Sequence, residues 1–502
     1  MGFPCRVRPL RRSAQREGVL LHGATRPNAI SVLRSLRFQE WALALAPAAI
    51  LCALLTRPVW DVDIFWQLRL GEMILQHRGP ILREPFAASH LGEPLPAIAW
   101  LAQAAYAEVR LLGGWNALRA FDALCWLGGF CSLVAACRAR GAAPVAAVIA
   151  LLLSVMAALP TASVRPQSFA ALCFGLLLAL LRLELRPLYT VALAVPLLVL
   201  WQNLHPSVAV GAVALGASAA AGWLARWRDR EETMPLAATI LAPVAVAAMF
   251  ATPDGLSVLA VSARNARASL AIDVAEWLPM WAPANRANSM GILFAAAVTL
   301  WLVLGRPRRI VLTELAVAAT LFAMTVVTTR FVLFWAISTI PVIARAAADP
   351  VSSRIDVPKW VAPLAILAAA IAVPQARPTR FDSSLPLDAI ERLRQANVRG
   401  VVYADFPYGG PIIDAGYPDW RVAYDGRYYR YTTEEWRFNG DIESGELGLR
   451  DILRKWRVAG FLLKVSHNTP LARELARTPG WTCIWDRDGI VVYVRADKKA
   501  AG

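Results

Sequence analysis

The chain has 502 residues, of which 57% are hydrophobic, with a formal net charge of +16 and a mean hydropathy of +0.46. A soluble protein of this length would form about three domains and carry far more polar residues, so the composition excludes it and indicates a polytopic membrane protein. Nucleic acid is not indicated as a partner either, because the arginines cluster in short loops between apolar runs and form no single basic stripe.

The first 37 residues hold eight arginines and no apolar core ending in a cleavage site, which predicts a basic cytoplasmic arm and not a removed signal. Candidate spans then follow near 41–56, 117–137, 142–160, 166–182, 188–203, 208–224, 236–252, 290–304, 310–327, 331–346 and 360–374, about eleven crossings of a ~30 Å hydrocarbon core. The stretch 98–113 is apolar but contains Glu108 and Arg110, the pattern of an interfacial or re-entrant helix. Positively charged short loops stay in the cytoplasm. Counting alternately, Arg138 with Arg140, Arg182 with Arg186, the Arg226, Arg228 and Arg230 group, Arg306 with Arg308 and Arg309, and the loop 345–359 all fall on that side. The loops 61–100, 161–167, 201–207, 252–289 and 328–330 and the C-terminal tail fall on the other.

The apolar spans stop near Pro374, and Pro374, Pro378 and Pro386 mark a linker. Helical patterns at 387–396, 447–456 and 471–477 alternate with short β-rich runs at 401–403, 461–465, 483–485 and 490–494, the last two joined by an Asp488-Gly489 turn. The expected organisation is therefore an arm (1–37), a transmembrane domain (38–376) with its first outer loop at 57–100, and an extracytoplasmic α/β domain (380–496). The fold class is mainly α, a polytopic helical bundle. Seven cysteines without paired spacing indicate neither a disulfide framework nor a zinc site.

The first outer loop sets Asp61, Asp63, Glu72 and Glu84 beside a membrane surface, where carboxylates are costly unless used. Asp61 and Asp63, two apart, suit a general base with a positioning or metal-binding partner; equally, they suit capping of the helix that follows. Glu72 has Arg69 three residues before it, an ordinary helical ion pair. Arg165, followed by Pro166 and Gln167, and Arg330, after two threonines, either snorkel to the interface or bind an anion. Asn203 and His205 end an apolar run at one depth and are expected to line a cavity. Glu276 lies in a long outer loop, and loops of that length are commonly functional. In the tail, Tyr408-Gly409-Gly410 and Tyr424-Asp425-Gly426-Arg427 are the densest polar and aromatic clusters. They suit turns or a stacking face.

In this order, DVDIFWQLRLGEMIL with GPILREPF, RPQSF, WQNLHPS, TPDGL, AEWLP, TTRFVLF, FPYGGPIID and RVAYDGRYY resemble a bacterial family of polytopic membrane proteins related to the GT-C glycosyltransferases, which use polyprenyl-phosphate-linked sugars. The resemblance implies a GT-C-like bundle with acidic residues in the first outer loop, mapped onto Asp61 and Asp63, with a second acidic position at Glu84. Two departures stand out: Phe65-Trp66-Gln67 where the family more often has Trp-Trp-His, and Thr252-Pro253 where it has Asn-Pro. Gln67 cannot replace a histidine as acid or base.

The expected function is transfer of a sugar from a polyprenyl-phosphate donor to a glycan, lipid or protein acceptor outside the bacterial inner membrane. Asp63, Asp61 and Glu84 are the expected catalytic residues. Arg165, His205 and Arg330 would hold the donor phosphate, and Gln67, Gln167, Asn203 and Glu276 would position substrate. Asp61 and Asp63 would take a divalent cation, Mg or Mn, if the reaction uses one. The bilayer and the lipid-linked sugar are the expected partners. A transporter or lipid carrier with an outward-facing polar cavity and a non-catalytic membrane scaffold are the alternative readings.

Overall fold

The computed structural model describes residues 29–348 and 357–496. Residues 1–28 of the expected arm and 349–356 of the last basic loop lie outside the described residues. The membrane part consists of α1 (Ala29–Thr56), α2 (Asp63–His77), α3 (Trp100–Ala139), α4 (Pro144–Ala158), α5 (Gln167–Arg182), α6 (Pro187–Leu204), α7 (Val208–Arg228), α8 (Leu236–Ala248), α9 (Ser257–Ala271), α10 (Arg286–Gly305), α11 (Leu312–Val327), α12 (Val332–Ala346) and α13 (Val361–Ala376). Every apolar run found in the sequence falls on one of them. Among the described residues seven helical stretches are long and apolar enough to cross a membrane, and α5, α8, α11 and α13 are shorter apolar helices.

Local chemistry explains several boundaries. Proline opens α4 and α6, where its missing N–H costs no helical hydrogen bond. The stretch 98–113 forms the first half of α3, which breaks at Gly113 and Gly114 before the span proper. Its charge is used: Arg110 donates to Asp414 at 2.9 Å and lies over Trp115. At the centre, α3 packs on α5 through glycine, since a Cβ on Gly129 would stand 2.0 Å from the Ala171 carbonyl oxygen, and one on Gly175 2.0 Å from that of Gly129. Small residues allow such close backbone approach, the usual basis of helix association in lipid. The α12 segment is 83% buried and the α10 segment 17%, so α12 is the inner post and α10 faces outward.

Polar contacts divide the bundle into two faces. On one, Arg138 pairs with Glu40, Arg182 with Glu184 and Glu314, and Arg345 with Glu314. These residues belong to the basic loops. On the other, Arg57 donates to the Leu159 and Ala162 carbonyls, Asn203 to the Ala251 carbonyl, and Thr329 N–H to the Leu278 carbonyl. The C-terminal domain sits on this second face.

That domain comprises α14 (Leu387–Gln395), β1 (Gly400–Ala404), α15 (Gly409–Gly416), β2 (Trp420–Val422), α16 (Thr433–Ser444), α17 (Leu449–Lys455), β3 (Val458–Lys464), α18 (Thr469–Arg477), β4 (Trp481–Arg487) and β5 (Ile490–Arg495). The sheet order is β2-β1-β3-β5-β4, parallel across β2, β1 and β3 and antiparallel for β5 and β4. Asp488 and Gly489 both have positive φ, as a two-residue hairpin turn requires. The expected helices and strands are present. The sequence patterns missed α15, which begins in the Tyr408-Gly409-Gly410 cluster, and β2 and α16, which flank the Tyr424–Arg427 cluster.

The first outer loop is bound into this domain. Ala87 bridges to Val422, and Val422 N–H donates to the Phe86 carbonyl at 3.0 Å. Glu84 is fully buried against Arg427, its Oε2 and Oε1 accepting from Nη1 and Nη2 at 2.8 and 2.9 Å. Oε1 also accepts the N–H groups of Phe86 and Ala87. Arg427 turns its Nε and Nη2 to Asp425 at 2.9 and 2.6 Å. Glu84, expected among the catalytic residues, has both oxygens engaged in this buried ion pair, which fastens the loop to the domain.

Removing one member of a buried charge cluster leaves the others uncompensated, at a cost of about 3–5 kcal/mol. Arg427→Met is therefore expected to lower the unfolding midpoint of the purified protein sharply, and Glu84→Gln, which keeps a hydrogen-bonding side chain, less so. Equal midpoints for Arg427→Met and wild type would show that the cluster does not hold the loop.

Candidate functional site

Helix ends and loops on the domain-bearing face bring Asp61, Asp63, Arg165, Glu276, Arg330 and His205 together. Asp61 precedes α2 and does two things at once. Its Oδ1 accepts the Asp63 N–H at 3.0 Å, which is the capping role open in the sequence. Its Oδ2 accepts from Ser163 Oγ at 3.1 Å and lies 3.7 Å from Arg165 Nη1. Asp63 begins α2; its Oδ1 accepts Trp66 Nε1 at 3.0 Å, and no hydrogen bond to its Oδ2 exists among the described residues. Gly426 closes over it, since a Cβ there would stand 2.2 Å from Asp63 Oδ1.

Arg165 stands between α4 and α5. Its Nη2 donates to Gln167 Oε1 at 2.5 Å and to Glu276 Oε2 at 3.2 Å, while its Nε is buried without a hydrogen bond. Its backbone is held from below: Arg165 N–H donates to Asp122 Oδ1 at 3.3 Å, and the Tyr106 hydroxyl lies 2.5 Å from that oxygen and 2.9 Å from the Arg165 carbonyl. Glu276, in the turn Ala275–Trp277, also pairs with Arg330, whose guanidinium lies 4.7 Å from the Trp277 ring centre. The result is a chain of alternating charge, Asp61, Arg165, Glu276, Arg330, across the mouth of the bundle.

Charge and burial set the protonation states. Burial, then the neighbouring Asp61 carboxylate, push Asp63 up to about 7. Burial raises Asp61 too, against Arg165 and its two hydrogen bonds. Those partners favour the charge on Asp61, leaving Asp63 as the member of the pair that exchanges a proton near neutrality. Burial opposes charge on Glu276, but Arg330 and Arg165 outweigh it and bring Glu276 down to about 2. Burial also opposes charge on Arg165, which Glu276, Asp61 and Asp63 outweigh, holding it protonated. His205 goes the other way: burial, with Arg330 and Arg165 close by, pushes it down to about 3. It is neutral at pH 7, so it can offer a hydrogen bond to an anion but no charge. Its Nδ1 lies 2.8 Å from Ser207 Oγ, which accepts Trp201 Nε1.

The remaining expected residues divide. Gln167 touches the site only by orienting Arg165. Asn203 is committed to the scaffold, accepting from Trp100 Nε1 at 2.8 Å and donating to the Val199 and Ala251 carbonyls. Gln67 is buried and makes no hydrogen bond with the cluster. Glu72 pairs with Arg69 at 2.7 Å. Sequence reasoning missed Ser163 and Asp122, and read Tyr428 only as part of an aromatic stacking face. Tyr428 has its hydroxyl pKa raised by burial and then by the Asp63, Glu276 and Asp61 carboxylates, so a protonated phenol from the C-terminal domain faces the acidic side of the site. Only the paired aromatic and glycine residues around it hinted at this. Among the described residues no three His, Cys, Asp or Glu side chains stand together as a metal-ligand set.

No described protein family and no curated relative matches the sequence. Solved structures do match in fold. The oligosaccharyltransferase of Archaeoglobus fulgidus tethered to an acceptor peptide aligns with a TM-score of 0.55 at 14% identity, covering 92% of this chain and 75% of that one. The same archaeal enzyme, AglB, with an inhibitory peptide and a dolichol-phosphate gives 0.54 at 14% identity, with 92% and 75% covered; its apo form gives 0.52 at 14%, with 94% and 74%. The chain is thus a membrane protein with the GT-C fold, as the sequence motifs implied.

The protonation of the acidic pair is directly measurable. Burial also pushes Asp405 up to about 7, so the Asp63 signal is read as the difference between wild type and Asp63→Asn: a carboxylic-acid C=O infrared band in that difference is expected to vanish with a midpoint near pH 7, and to move to lower pH in the Asp61→Asn background, which removes the like charge. A titration untouched by Asp63→Asn would assign the proton elsewhere.

Proposed function

We propose that the chain is a membrane glycosyltransferase that moves a sugar from a polyprenyl-phosphate donor to an acceptor on the face bearing the C-terminal domain. The observation that carries this reading is the open Oδ2 of a carboxylate titrating near 7, set in one cluster with two guanidiniums that share a single carboxylate. The first is the equipment of a general base; the second, of an anion site where leaving-group charge develops. The fold supports the reading, since the archaeal enzyme that shares it has been captured with a dolichol-phosphate and with an acceptor peptide.

In this reading Asp63 Oδ2 takes the proton from the acceptor nucleophile. The bond between the sugar's anomeric carbon and the phosphate oxygen breaks, the acceptor atom takes that oxygen's place, and polyprenyl phosphate leaves with the bonding pair. Arg165 and Arg330 receive the phosphate charge, in exchange for part of their contact with Glu276. His205 contributes a neutral hydrogen bond, and Asp61 keeps Arg165 and the start of α2 aligned. Tyr428 borders the acceptor side. The lipid tail stays in hydrocarbon while the phosphate reaches the helix ends. By the positive-inside rule the basic loops face the cytoplasm, which puts the site outside the cytoplasmic membrane.

Assayed in proteoliposomes with lipid-linked sugars, Asp63→Asn is expected to lose about 10²–10⁴-fold in kcat; retained wild-type transfer would remove Asp63 as the base. Because an ionised Asp63 is the active form, kcat/KM should rise with pH through about 7 and then level off, and Asp61→Asn should move that limb to lower pH. Arg330→Gln is expected to cost about 10²–10³-fold, and His205→Gln less, since it removes no charge. The reverse order would contradict a neutral His205.

A further inference from the structure

The basic face holds a cavity that the proposed reaction does not use. It encloses about 1130 Å³ and is lined by Arg140, Arg182, Arg308, Arg309 and Arg345, against Glu184, Glu232 and Glu314. Two of these glutamates are already paired: Glu184 with Arg140 and Arg182, Glu314 with Arg182 and Arg345. The first residues of α6, α8 and α11, Pro187, Leu236 and Leu312, also line it, so three positive dipole ends add to the arginines. Arg182 is buried; its Nε lies 3.5 Å from Glu314 Oε1 without a hydrogen bond among the described residues. Five arginines against three glutamates make the lining net positive, which suits an anion.

Size and surface identify which anion. A phosphate alone would leave most of this volume empty, because whole drug-sized ligands occupy about 300–1,000 Å³. Deeper lining is apolar, including Leu178, Leu181, Val317 and Pro341. At the rim Leu185, Met234 and Leu236 are exposed at the level where helices meet basic loops, which is where a bilayer leaflet presents its headgroups. We infer that this cavity is a binding site for an anionic phospholipid, with the phosphate among the arginines and helix N-termini and an acyl chain along the apolar wall. This site lies on the face opposite the Asp63 cluster and does not depend on the proposed reaction. Basic pockets between transmembrane helices recognise anionic headgroups in this way.

Delipidated full-length protein titrated with phosphatidylglycerol and with phosphatidylcholine of equal chain length, read by native mass spectrometry, tests this. Wild type is expected to prefer phosphatidylglycerol. The double variant Arg308→Ala, Arg309→Ala should weaken it by about 30-fold, at roughly fivefold per arginine. Ala237→Trp, which fills the cavity without changing charge, should weaken both lipids. The double variant Arg228→Ala, Arg230→Ala, on the same face but outside the cavity, should bind as wild type does. Equal retention of the two lipids, or no change in the first double variant, would overturn the proposal. So would displacement of phosphatidylglycerol by millimolar inorganic phosphate with no effect of Ala237→Trp, since the cavity would then hold a soluble phosphate.

Discussion

The geometry of the site depends on the buried contact between Arg427, Glu84 and Asp425. Four hydrogen bonds run from one guanidinium to two carboxylates, with the Trp66 and Phe86 rings beside it. A buried ion cluster of this kind contributes little net stability compared with apolar side chains of similar shape, because desolvation offsets most of the attraction. Its effect is directional. Only one alignment of loop and domain satisfies all these bonds, and in that alignment Gly426 lies against Asp63 and Tyr428 lies over the acidic pair.

The same logic of compensated charge runs through the rest of the molecule. On the domain-bearing face each charge in the row from Asp61 to Arg330 has an opposite neighbour, and the row can exchange one partner for a substrate anion without leaving a bare charge. On the basic face five arginines and three glutamates line one cavity. Charged clusters thus stand at both ends of the helices. They differ in character: one is beside a titrating carboxylate, and the other is beside apolar wall.

Hydropathy made the helices legible, because a span must satisfy its own backbone and bury a continuous apolar run, and both requirements are local. Loop charge sorted those helices into two faces, and so it gathered Asp61, Arg165, His205, Glu276 and Arg330 on one side before any contact was known. What was not legible is pairing across distance. Glu84 and Arg427 are 343 positions apart, and nothing near either announces the other, so a loop glutamate read as catalytic through the family resemblance alone. The neutrality of His205 is a similar case, since it follows from burial and from two arginines, all set by tertiary structure. Asn203 looked like a cavity residue because its depth is right; its actual partners are Trp100 at the start of α3, Val199 on α6 and Ala251 just beyond α8. The strand β2 and helix α15 escaped notice because three residues, and eight that include three glycines, carry too little periodicity to be told from turns.

The addition of Phe86 and Ala87 alongside β2 has a consequence for biosynthesis. Chains emerge from the ribosome N-terminus first, so the first outer loop is made and delivered across the membrane long before the strand that receives it. Until translation reaches Val422 and Arg427, that loop has no template for its backbone and no counter-ion for Glu84. The contact between loop and domain is therefore completed late in synthesis, and a product truncated before Val422 would present Asp61 and Asp63 on a loop without its roof.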